Sequence, residues 1–229
     1  MEESAGTGSL RSSEPTVNSG CPLLPCFYLP PLVYFSVLSG KSRAQLEVHE
    51  NYSKQTYRNR TLILGANGPL VLSIPVVKIS GKKQLMKDVC IDYSTPWQKL
   101  HWKGIESAYA GSPFFEYYRD DFEPFYRKRK KYLADLNEAI LNTVLKLIGF
   151  ELELVRSLKY QPGASEEDLR SCISPKKDIS THNPWFHSLV YHQVFQDRTG
   201  FIPDLGILDL LFNEGPHAPE IIKKTKAGL

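Results

Sequence analysis

Residues 23–49 read LLPCFYLPPLVYFSVLSGKSRAQLEVH. The first seven are mostly apolar and predict a short strand, which the next two prolines end in a turn. Proline directly before Leu32 favours the start of a helix, and Gly40 favours its end. Residues 44–49 then alternate between apolar and polar side chains, as a strand does. A strand, a helix and a second strand in this order predict parallel pairing through a crossover connection.

The rest of the chain continues this mixture of strands and helices. The further predicted elements are a hairpin over 62–76 around Asn67-Gly68-Pro69, a helix between Pro96 and Gly111, a longer helix over 126–148, strands at 151–155 and 191–195, and a short helix over 205–213. These elements predict an α/β (or α+β) fold with a mixed, partly parallel sheet and flanking helices.

Length and composition predict one domain. A chain of 229 residues with 41% hydrophobic and 23% charged residues is ordinary for a folded protein with a single core. Residues 1–20 are rich in Ser, Gly and Glu and lack the layout of a secretory leader, so we predict a disordered tail before a domain over 21–229. No apolar run approaches about 18 residues, so the sequence predicts no membrane span.

Charge and cysteine usage narrow the function classes. The net charge of +3 is too small to indicate a nucleic-acid surface. A basic run at 127–131 is interpreted as a solvated helix face, with contact to a membrane surface or nucleic acid as the alternative. The four cysteines form no CxxC pair, which predicts a reducing, cytoplasmic compartment. The six histidines show no zinc motif, so no metal site is predicted, and the sequence identifies no cofactor.

Residues 51–60, NYSKQTYRNR, are the strongest candidate for a ligand site. Three cations, two tyrosines and two asparagines fall within ten residues, and arginine grips phosphate or carboxylate with two hydrogen bonds. Strand alternation would place Arg58 and Arg60 on one face and Asn59 on the other. The segment therefore predicts binding of a small anionic metabolite. The alternatives are a solvated basic loop, or an ion pair of Arg58 or Arg60 with Glu47, Glu50 or an acidic residue elsewhere in the chain.

Two further positions have both a chemical and a structural interpretation. Asp209 and Asn213 lie four residues apart on the last predicted helix and would share one face, although a helix cap explains them as well. Cys26 follows the first strand and would be activated at a helix start, but its apolar neighbours favour a buried, inert thiol. The chain contains no GxSxG, GxGxxG or GxxxxGK[ST] motif.

Four separated motifs give the chain a family resemblance. They are Tyr28-Leu29-Pro30, Tyr52-Ser53-Lys54 with Arg58-Asn59-Arg60, Ile74-Pro75-Val76, and the segment from Leu208 to Asn213. With these motifs, residues 23–216 resemble the WbqC-like family, most of all its versions in Bacteroidetes-type bacteria. That family typically opens with His-Gln-Pro-x-Tyr-Leu-Pro, and here the His-Gln pair is missing. Gly206 also stands where the family commonly has Ser.

The resemblance implies work on surface polysaccharides, because members of the family occur in O-antigen and similar gene clusters. We therefore expect a cytoplasmic, transferase-like enzyme that binds an anionic activated sugar or acyl donor. The expected substrate-binding residues are Tyr28, Tyr52, Lys54, Arg58, Asn59, Arg60 and Asn213, and the expected general acid or base is Glu50 or Asp209. The alternative is a scaffold subunit of a glycan-biosynthesis complex that does no chemistry.

Overall fold

The computed structural model describes residues 21–77, 83–162, 168–175 and 186–227, so the predicted tail lies outside the described residues. In chain order the elements are β1 (Leu23–Pro25), α1 (Leu32–Leu38), β2 (Arg43–Glu47), β3 (Arg60–Gly65), β4 (Gly68–Ser73), a 3-10 turn (Met86–Asp88), α2 (Trp97–Tyr109), α3 (Phe115–Arg127), α4 (Leu133–Leu147), β5 (Glu153–Arg156), β6 (Phe186–His187), α5 (Gln196–Thr199), α6 (Leu208–Glu214), a 3-10 turn (Gly215–His217), α7 (Ala218–Lys224) and β7 (Lys226–Ala227).

A three-stranded parallel sheet organises the fold, in the order β1-β2-β5. Leu24 pairs with Leu46 on β2, and Leu46 pairs in turn with Arg156 on β5. Every residue of α1 is buried, because this short helix connects β1 to β2 and packs against α7. The predicted strand–helix–strand unit and the α/β class are therefore confirmed.

The hairpin and the helix boundaries follow the local sequence signals. Strands β3 and β4 pair antiparallel from Arg60 opposite Ser73 to Gly65 opposite Gly68. Helix α4 ends at Leu147, and Gly149, two residues later, has φ +67. The Phe150 amide bonds the Leu145 carbonyl at 2.9 Å, and the Gly149 amide bonds the Lys146 carbonyl at 3.1 Å. This pair of bonds closes the helix in a Schellman motif and confirms the predicted stop.

The prediction of one helix over 126–148 was wrong. Helix α3 continues to Arg127, and the chain is then extended until α4 begins at Leu133. The Ile91 amide bonds the Lys131 carbonyl at 3.0 Å, and the Leu133 amide bonds the Val89 carbonyl at 2.9 Å. Like charges at helical spacing repel one another, and these long-range bonds offer the backbone an alternative. Residues 128–131 of the basic run therefore belong to an exposed linker between two helices.

The predicted strand over 191–195 is also absent, since the described structure gives this segment no strand partner. Tyr191 and Gln193 are buried in alternation, as in a strand, but their side chains bond to Asp209. Within the described ranges, the helices are all too short or too polar to cross a bilayer.

Candidate functional site

Glu50 and Arg58 form a buried ion pair just beyond the carboxyl end of β2. Arg58 Nε donates to Glu50 Oε1 at 2.8 Å, and Nη2 donates to Oε2 at 2.6 Å. Only 7% of the Arg58 side chain and 10% of the Glu50 side chain are exposed. The guanidinium carbon also lies 5.6 Å from the centre of the Phe27 ring. Glu50 therefore already neutralises the charge of Arg58, as the structural alternative drawn from the sequence anticipated.

Burial and pairing act in opposite directions on Glu50. Burial raises the pKa of its carboxyl, and the hydrogen bonds and charge of Arg58 oppose that rise. Glu50 follows β2, and Arg58, eight positions later, precedes β3. Their hydrogen bonds therefore hold the segment after β2 against the segment before β3. Strand alternation is not what relates the two arginines, since β3 begins at Arg60 and Arg58 lies before it.

Arg60 has a different environment from Arg58. It is half-buried at the start of β3, and its Nε is buried without a hydrogen-bond partner in the described residues. Half-buried Tyr52 lies close to it: burial raises the pKa of this phenol to about 12, while the charges of Arg60 and then Arg58 act to lower it. Lys54 is exposed in the same loop. Arg60 is thus the arginine of the cluster that retains hydrogen-bonding capacity.

Two asparagines fix the backbone around these arginines. Asn59 Nδ2 donates to the Ile74 carbonyl at 2.9 Å, and the Ile74 amide donates back to the Asn59 carbonyl at 2.7 Å. Asn137 of α4 donates to the carbonyls of Cys26 at 3.1 Å and Arg58 at 2.8 Å. Each amide oxygen is buried without a partner in the described structure. No sequence signal identified Asn137, because its partners are 79 and 111 positions away.

Tyr28, an expected substrate-binding residue, lies in the core instead of on a ligand surface. Its side chain is fully buried and does not line an open cleft. Its hydroxyl lies 3.1 Å from His101 Nδ1 and 2.7 Å from the Tyr126 hydroxyl. Burial raises the pKa of Tyr28 well above its usual range and lowers the pKa of His101 to about 4, so both groups are neutral near pH 7.

The partners of His101 fix the direction of this chain of hydrogen bonds. His101 Nε2 lies 3.3 Å from the Ser73 carbonyl, which only accepts, so Nε2 donates. Nδ1 then accepts from the Tyr28 hydroxyl, and Tyr28 accepts from Tyr126. Ser73 is the cross-strand partner of Arg60. These hydrogen bonds therefore hold the backbone of Ser73, which lies opposite Arg60. The contribution of Tyr28 is to position that backbone.

Asp209 and Asn213 belong to a separate buried cluster on α6. Asp209 Oδ2 accepts from the Tyr191 hydroxyl at 2.8 Å and from Gln193 Nε2 at 2.9 Å, while Oδ1 has no partner in the described structure. Asn213 Nδ2 donates to the Asp209 carbonyl at 2.7 Å, within the helix. No hydrogen bond or ion pair in the described ranges joins this cluster to the arginines. The predicted residues therefore fall into two groups.

Asp204 is a buried carboxylate that the sequence did not single out. Its Oδ1 accepts from the Val33 amide at 2.9 Å at the start of α1, and burial raises its pKa well above the usual range. Its backbone has φ +56, a left-handed conformation that only a few non-glycine residues adopt. Asp204 thus ties the turn after β1 to the segment before α6.

Two surface depressions, of about 330 and 430 Å³, lie at the other end of the sheet. Both contain Gly149 and Phe150, close to the amino ends of β2 and β5. None of the predicted site residues lines either of them. The described part of the chain holds no group of three or more His, Cys, Asp or Glu side chains arranged to bind a metal ion.

Comparison of the sequence with known proteins identifies a family whose matched region includes residues 50–60. The sequence profile of the WbqC-like protein family matches residues 26–182. The chain belongs to the WbqC-like family. It is also 27% identical over 219 residues to the uncharacterized protein Rv1507c of Mycobacterium tuberculosis, an alignment covering 86% of this chain and 94% of that protein. No solved structure matches.

The residues at which this WbqC-like chain departs from the family opening lie in its core. Leu24 and Pro25 occupy the place of the His-Gln pair of the family opening, and both are buried in β1. Cys26 follows, fully buried, with its Sγ 3.8 Å from the Ala134 carbonyl. Burial raises the pKa of this thiol to about 12, so the interpretation as an inert core residue applies.

The pH dependence of stability should report the environment of Asp209. Burial raises its folded pKa to about 6 from the ordinary 3.8, while the nearby side chains of Tyr191, Gln193 and Tyr109 act to lower it. As the pH rises through this range the unfolded chain loses its proton first, so the folded state loses stability. Each unit of difference between the folded and the unfolded pKa corresponds to about 1.4 kcal/mol. The free energy of unfolding therefore falls by about 3 kcal/mol in total once the pH is above 6.

We therefore expect Asp209→Asn to gain stability relative to the wild type as the pH rises from 4 to 7. Urea unfolding at several pH values measures the free energy of unfolding of both proteins. Subtracting one from the other cancels the contributions of Asp204 and Glu50, which both proteins retain. Asp197→Asn, at an exposed position on α5, is the control and should track the wild type. Parallel curves for Asp209→Asn and the wild type would contradict the raised pKa.

Proposed function

We propose that this protein is a cytoplasmic transferase of surface polysaccharide (O-antigen-type) biosynthesis that binds an anionic activated sugar or acyl donor. Membership of the WbqC-like family supports this proposal, as does the cation cluster after β2. The observation that carries it is Arg60, a half-buried residue whose Nε has no hydrogen-bond partner in the described residues and whose charge acts on the phenol of Tyr52. Unused donors on a partly desolvated cation favour an anionic ligand.

In this proposal Arg60, Lys54 and Tyr52 contact the phosphate or carboxylate of the donor. Arg58 and Asn59 support these residues without contacting the donor, because their side chains are bonded to Glu50 and to the Ile74 carbonyl. A ligand that displaced Glu50 from Arg58 would leave a buried carboxylate unpaired, which costs several kcal/mol. The donor is therefore expected to bind outside the Glu50–Arg58 pair.

Glu50 and Asp209 remain the proposed general acid or base, and they differ in how many of their oxygens are already hydrogen-bonded. Glu50 is bonded at both oxygens by Arg58. Asp209 has one oxygen without a partner in the described structure and a pKa of about 6, close to neutrality, which suits a group that takes up and returns a proton. Asn213 supports the Asp209 backbone and is placed in the same cluster.

A scaffold subunit is the second candidate. It is favoured by the inward-facing Arg58 and Tyr28 and by two apolar residues of β4 that remain exposed, Leu70 at 43% and Val71 at 49%. Exposed apolar patches on folded proteins often mark contacts with other proteins. This candidate predicts that the donors leave the Tm of the protein unchanged.

Thermal-shift measurements distinguish the two candidates. We expect at least one of UDP-glucose, GDP-mannose, dTDP-glucose, CMP-sialic acid and acetyl-coenzyme A to stabilise the protein. A ligand at about 100 times its Kd contributes about 2.7 kcal/mol, or a Tm increase of roughly 5–10 °C for a chain of this size. Arg60→Ala should weaken binding about 10- to 100-fold through the loss of charge-assisted hydrogen bonds.

Arg43→Ala provides the matched control for Arg60→Ala. Arg43 is on β2, and its exposed side chain pairs with Glu153 at 3.4 Å on the neighbouring strand. This variant should bind the donor as the wild type does. Absence of any ligand response, or equal affinities for Arg60→Ala and Arg43→Ala, would overturn the donor site and favour the scaffold.

A further inference from the structure

A second polar cluster lies where the parallel strands β2 and β5 end. Glu47, the last residue of β2, is fully buried. Its Oε1 accepts from the His49 amide at 2.7 Å and from the Ser157 hydroxyl at 2.7 Å, and its Oε2 lies 3.4 Å from Arg170 Nη1. Open parallel sheets bind ligands beyond the carboxyl ends of their strands, which is where this cluster lies.

The hydrogen bonds of Ser157 determine the tautomer of His49. Ser157 has one hydroxyl proton, and Glu47 accepts it because a carboxylate cannot donate. The Val48 amide donates to the same hydroxyl oxygen at 3.1 Å. His49 Nδ1 lies 3.2 Å from that oxygen, so it must also act as a donor. The neutral ring therefore carries its proton on Nδ1 and a lone pair on Nε2.

The Nε2 atom of His49 is not among the fully buried, unpartnered atoms of the described structure. His49 is half-buried, and in the described structure Nε2 forms no hydrogen bond. This arrangement has the elements of a positioned base: a carboxylate holds a hydroxyl, the hydroxyl holds one ring nitrogen, and the other nitrogen is available. Sequence inspection would not find it, since Ser157 is 108 positions from His49.

Tyr160 is connected to Glu47, and so to this cluster, through Arg170. The Arg170 guanidinium carbon lies 5.1 Å from the centre of the Tyr160 ring, and Nη2 donates to the Gln161 carbonyl at 3.0 Å. Arg170 is itself fixed by Asp168, with Nη2 2.6 Å from Oδ2. Tyr160 is 51% exposed although its ring is held in place. A fixed, exposed ring next to hydrogen-bonding groups favours the apolar face of a sugar.

We propose that the His49–Tyr160 surface binds the acceptor sugar and that His49 Nε2 removes the proton from its attacking hydroxyl or amine. The inference rests on the transferase function proposed above. His49 takes the proton as the acceptor oxygen or nitrogen forms a bond to the electrophilic carbon of the donor. The bond from that carbon to the leaving group breaks, and the leaving group departs with the electron pair as an anion. The proton on His49 then passes to the leaving group or to solvent.

The first experiment needs no donor. Nitrogen chemical shifts of the imidazoles, measured by NMR on 15N-labelled protein at pH 8, distinguish protonated from unprotonated ring nitrogens. His49 should be protonated at Nδ1 and unprotonated at Nε2, and Ser157→Ala should reduce that preference. A proton on Nε2 of the wild type would overturn the assignment.

The second experiment detects the acceptor directly. Methyl glycosides of glucose, galactose, N-acetylglucosamine and glucosamine are titrated into the wild type, and the His49 ring signals are followed. At least one should shift them in a saturable way, and Tyr160→Ala should weaken that binding about tenfold, a size expected for an aromatic contact. Tyr117→Ala, at a tyrosine on α3 that is 73% exposed, is the control. No shift with any glycoside would overturn the acceptor site.

The catalytic step is tested with whichever donor stabilises the wild type. His49→Gln should keep the donor-induced Tm shift and lose about 10²- to 10⁴-fold in transfer rate to the bound glycoside, the usual range for a general base. Transfer at the wild-type rate, or loss of donor stabilisation, would contradict the proposed role. If the glycoside titration succeeds while no donor binds, the proposed donor function fails and the acceptor surface stands.

Discussion

Replacing Arg58 with alanine should lower the free energy of unfolding by about 3–5 kcal/mol, because the change leaves the Glu50 carboxylate buried and unpaired. The side chains are only 7% and 10% exposed, so water cannot take over the missing bonds without opening the structure. The corresponding fall in Tm is roughly 6–20 °C for a chain of this size. Chemical unfolding followed by circular dichroism measures the effect.

The exposed pair between Arg43 and Glu153 provides the comparison. Its side chains are 50% and 64% exposed, and pairs of that kind contribute about 1 kcal/mol or less. Arg43→Ala should therefore remain close to the wild type. A double variant with Arg58→Met and Glu50→Leu should recover much of the lost stability, since buried ion pairs can often be replaced by apolar side chains. Equal unfolding free energies for Arg58→Ala and Arg43→Ala would show that the buried pair is not structural.

This expectation changes which arginine is informative about function. A loss of activity in Arg58→Ala would follow from misfolding as readily as from a lost ligand contact. Arg60 is half-buried, and its side chain forms no ion pair or hydrogen bond with the described residues. Its replacement should leave stability nearly unchanged, so an effect on ligand affinity can be interpreted.

The parallel unit was predictable because its signals are local. Apolar β1, the two prolines before Leu32 and the alternation in β2 all act within a few residues of one another. The same holds for the stop of α4 at Gly149, whose positive φ suits glycine. Strong local preference and hydrophobic period agreed at these positions, and the structure follows them.

The errors arose where distant bonds decide the conformation. The backbone after Arg127 is held by bonds to Val89 and Ile91, roughly forty residues earlier. Periodicity alone therefore joined α3 and α4 into one helix. Tyr191 and Gln193 alternate as in a strand, but a carboxylate on α6 takes the place of a partner strand.

The candidate site was only partly predictable for the same reason. Composition identified residues 51–60, and the possible Glu50–Arg58 pair followed from their nearness in sequence. The residues that decide the local chemistry come from elsewhere: Asn137, His101 and Ser157. Each of them makes its contacts to the site across at least 28 positions of chain. Such contacts leave no periodic or compositional mark.

Replacing Gly206 with alanine should destabilise the protein by about 3 kcal/mol or more, the upper range for overpacking a filled core. A Cβ at this position would lie 2.3 Å from Thr61 Oγ1, 3.1 Å from the Leu62 carbonyl oxygen and 3.3 Å from the Leu29 carbonyl oxygen. The backbone of Gly206 cannot retreat easily, because its amide bonds the Leu62 carbonyl at 2.8 Å.

Thr61 cannot simply rotate away from the added methyl group. Its hydroxyl is buried and donates to the Leu29 carbonyl at 2.9 Å, at a residue held with φ +44. Losing that bond would leave a buried carbonyl unsatisfied, at a cost of about 1–3 kcal/mol. The family commonly has Ser at position 206, and a serine Cβ here would meet the same atoms. Gly206 and Thr61 are therefore complementary in this chain.

A double-mutant cycle tests that complementarity. Gly206→Ala combined with Thr61→Ala should be more stable than the sum of the two single changes allows, because the closest contact disappears. Gly111→Ala is the control: its Cβ would lie 3.9 Å from Val194, an ordinary contact, and the change should be nearly neutral. If Gly206→Ala unfolds at the same urea concentration as Gly111→Ala, the turn after β1 and the segment before α6 do not pack as described. The anchoring of both the arginine cluster and the Asp209 cluster would then need another explanation, since Thr61 lies next to Arg60 and Gly206 lies just before α6.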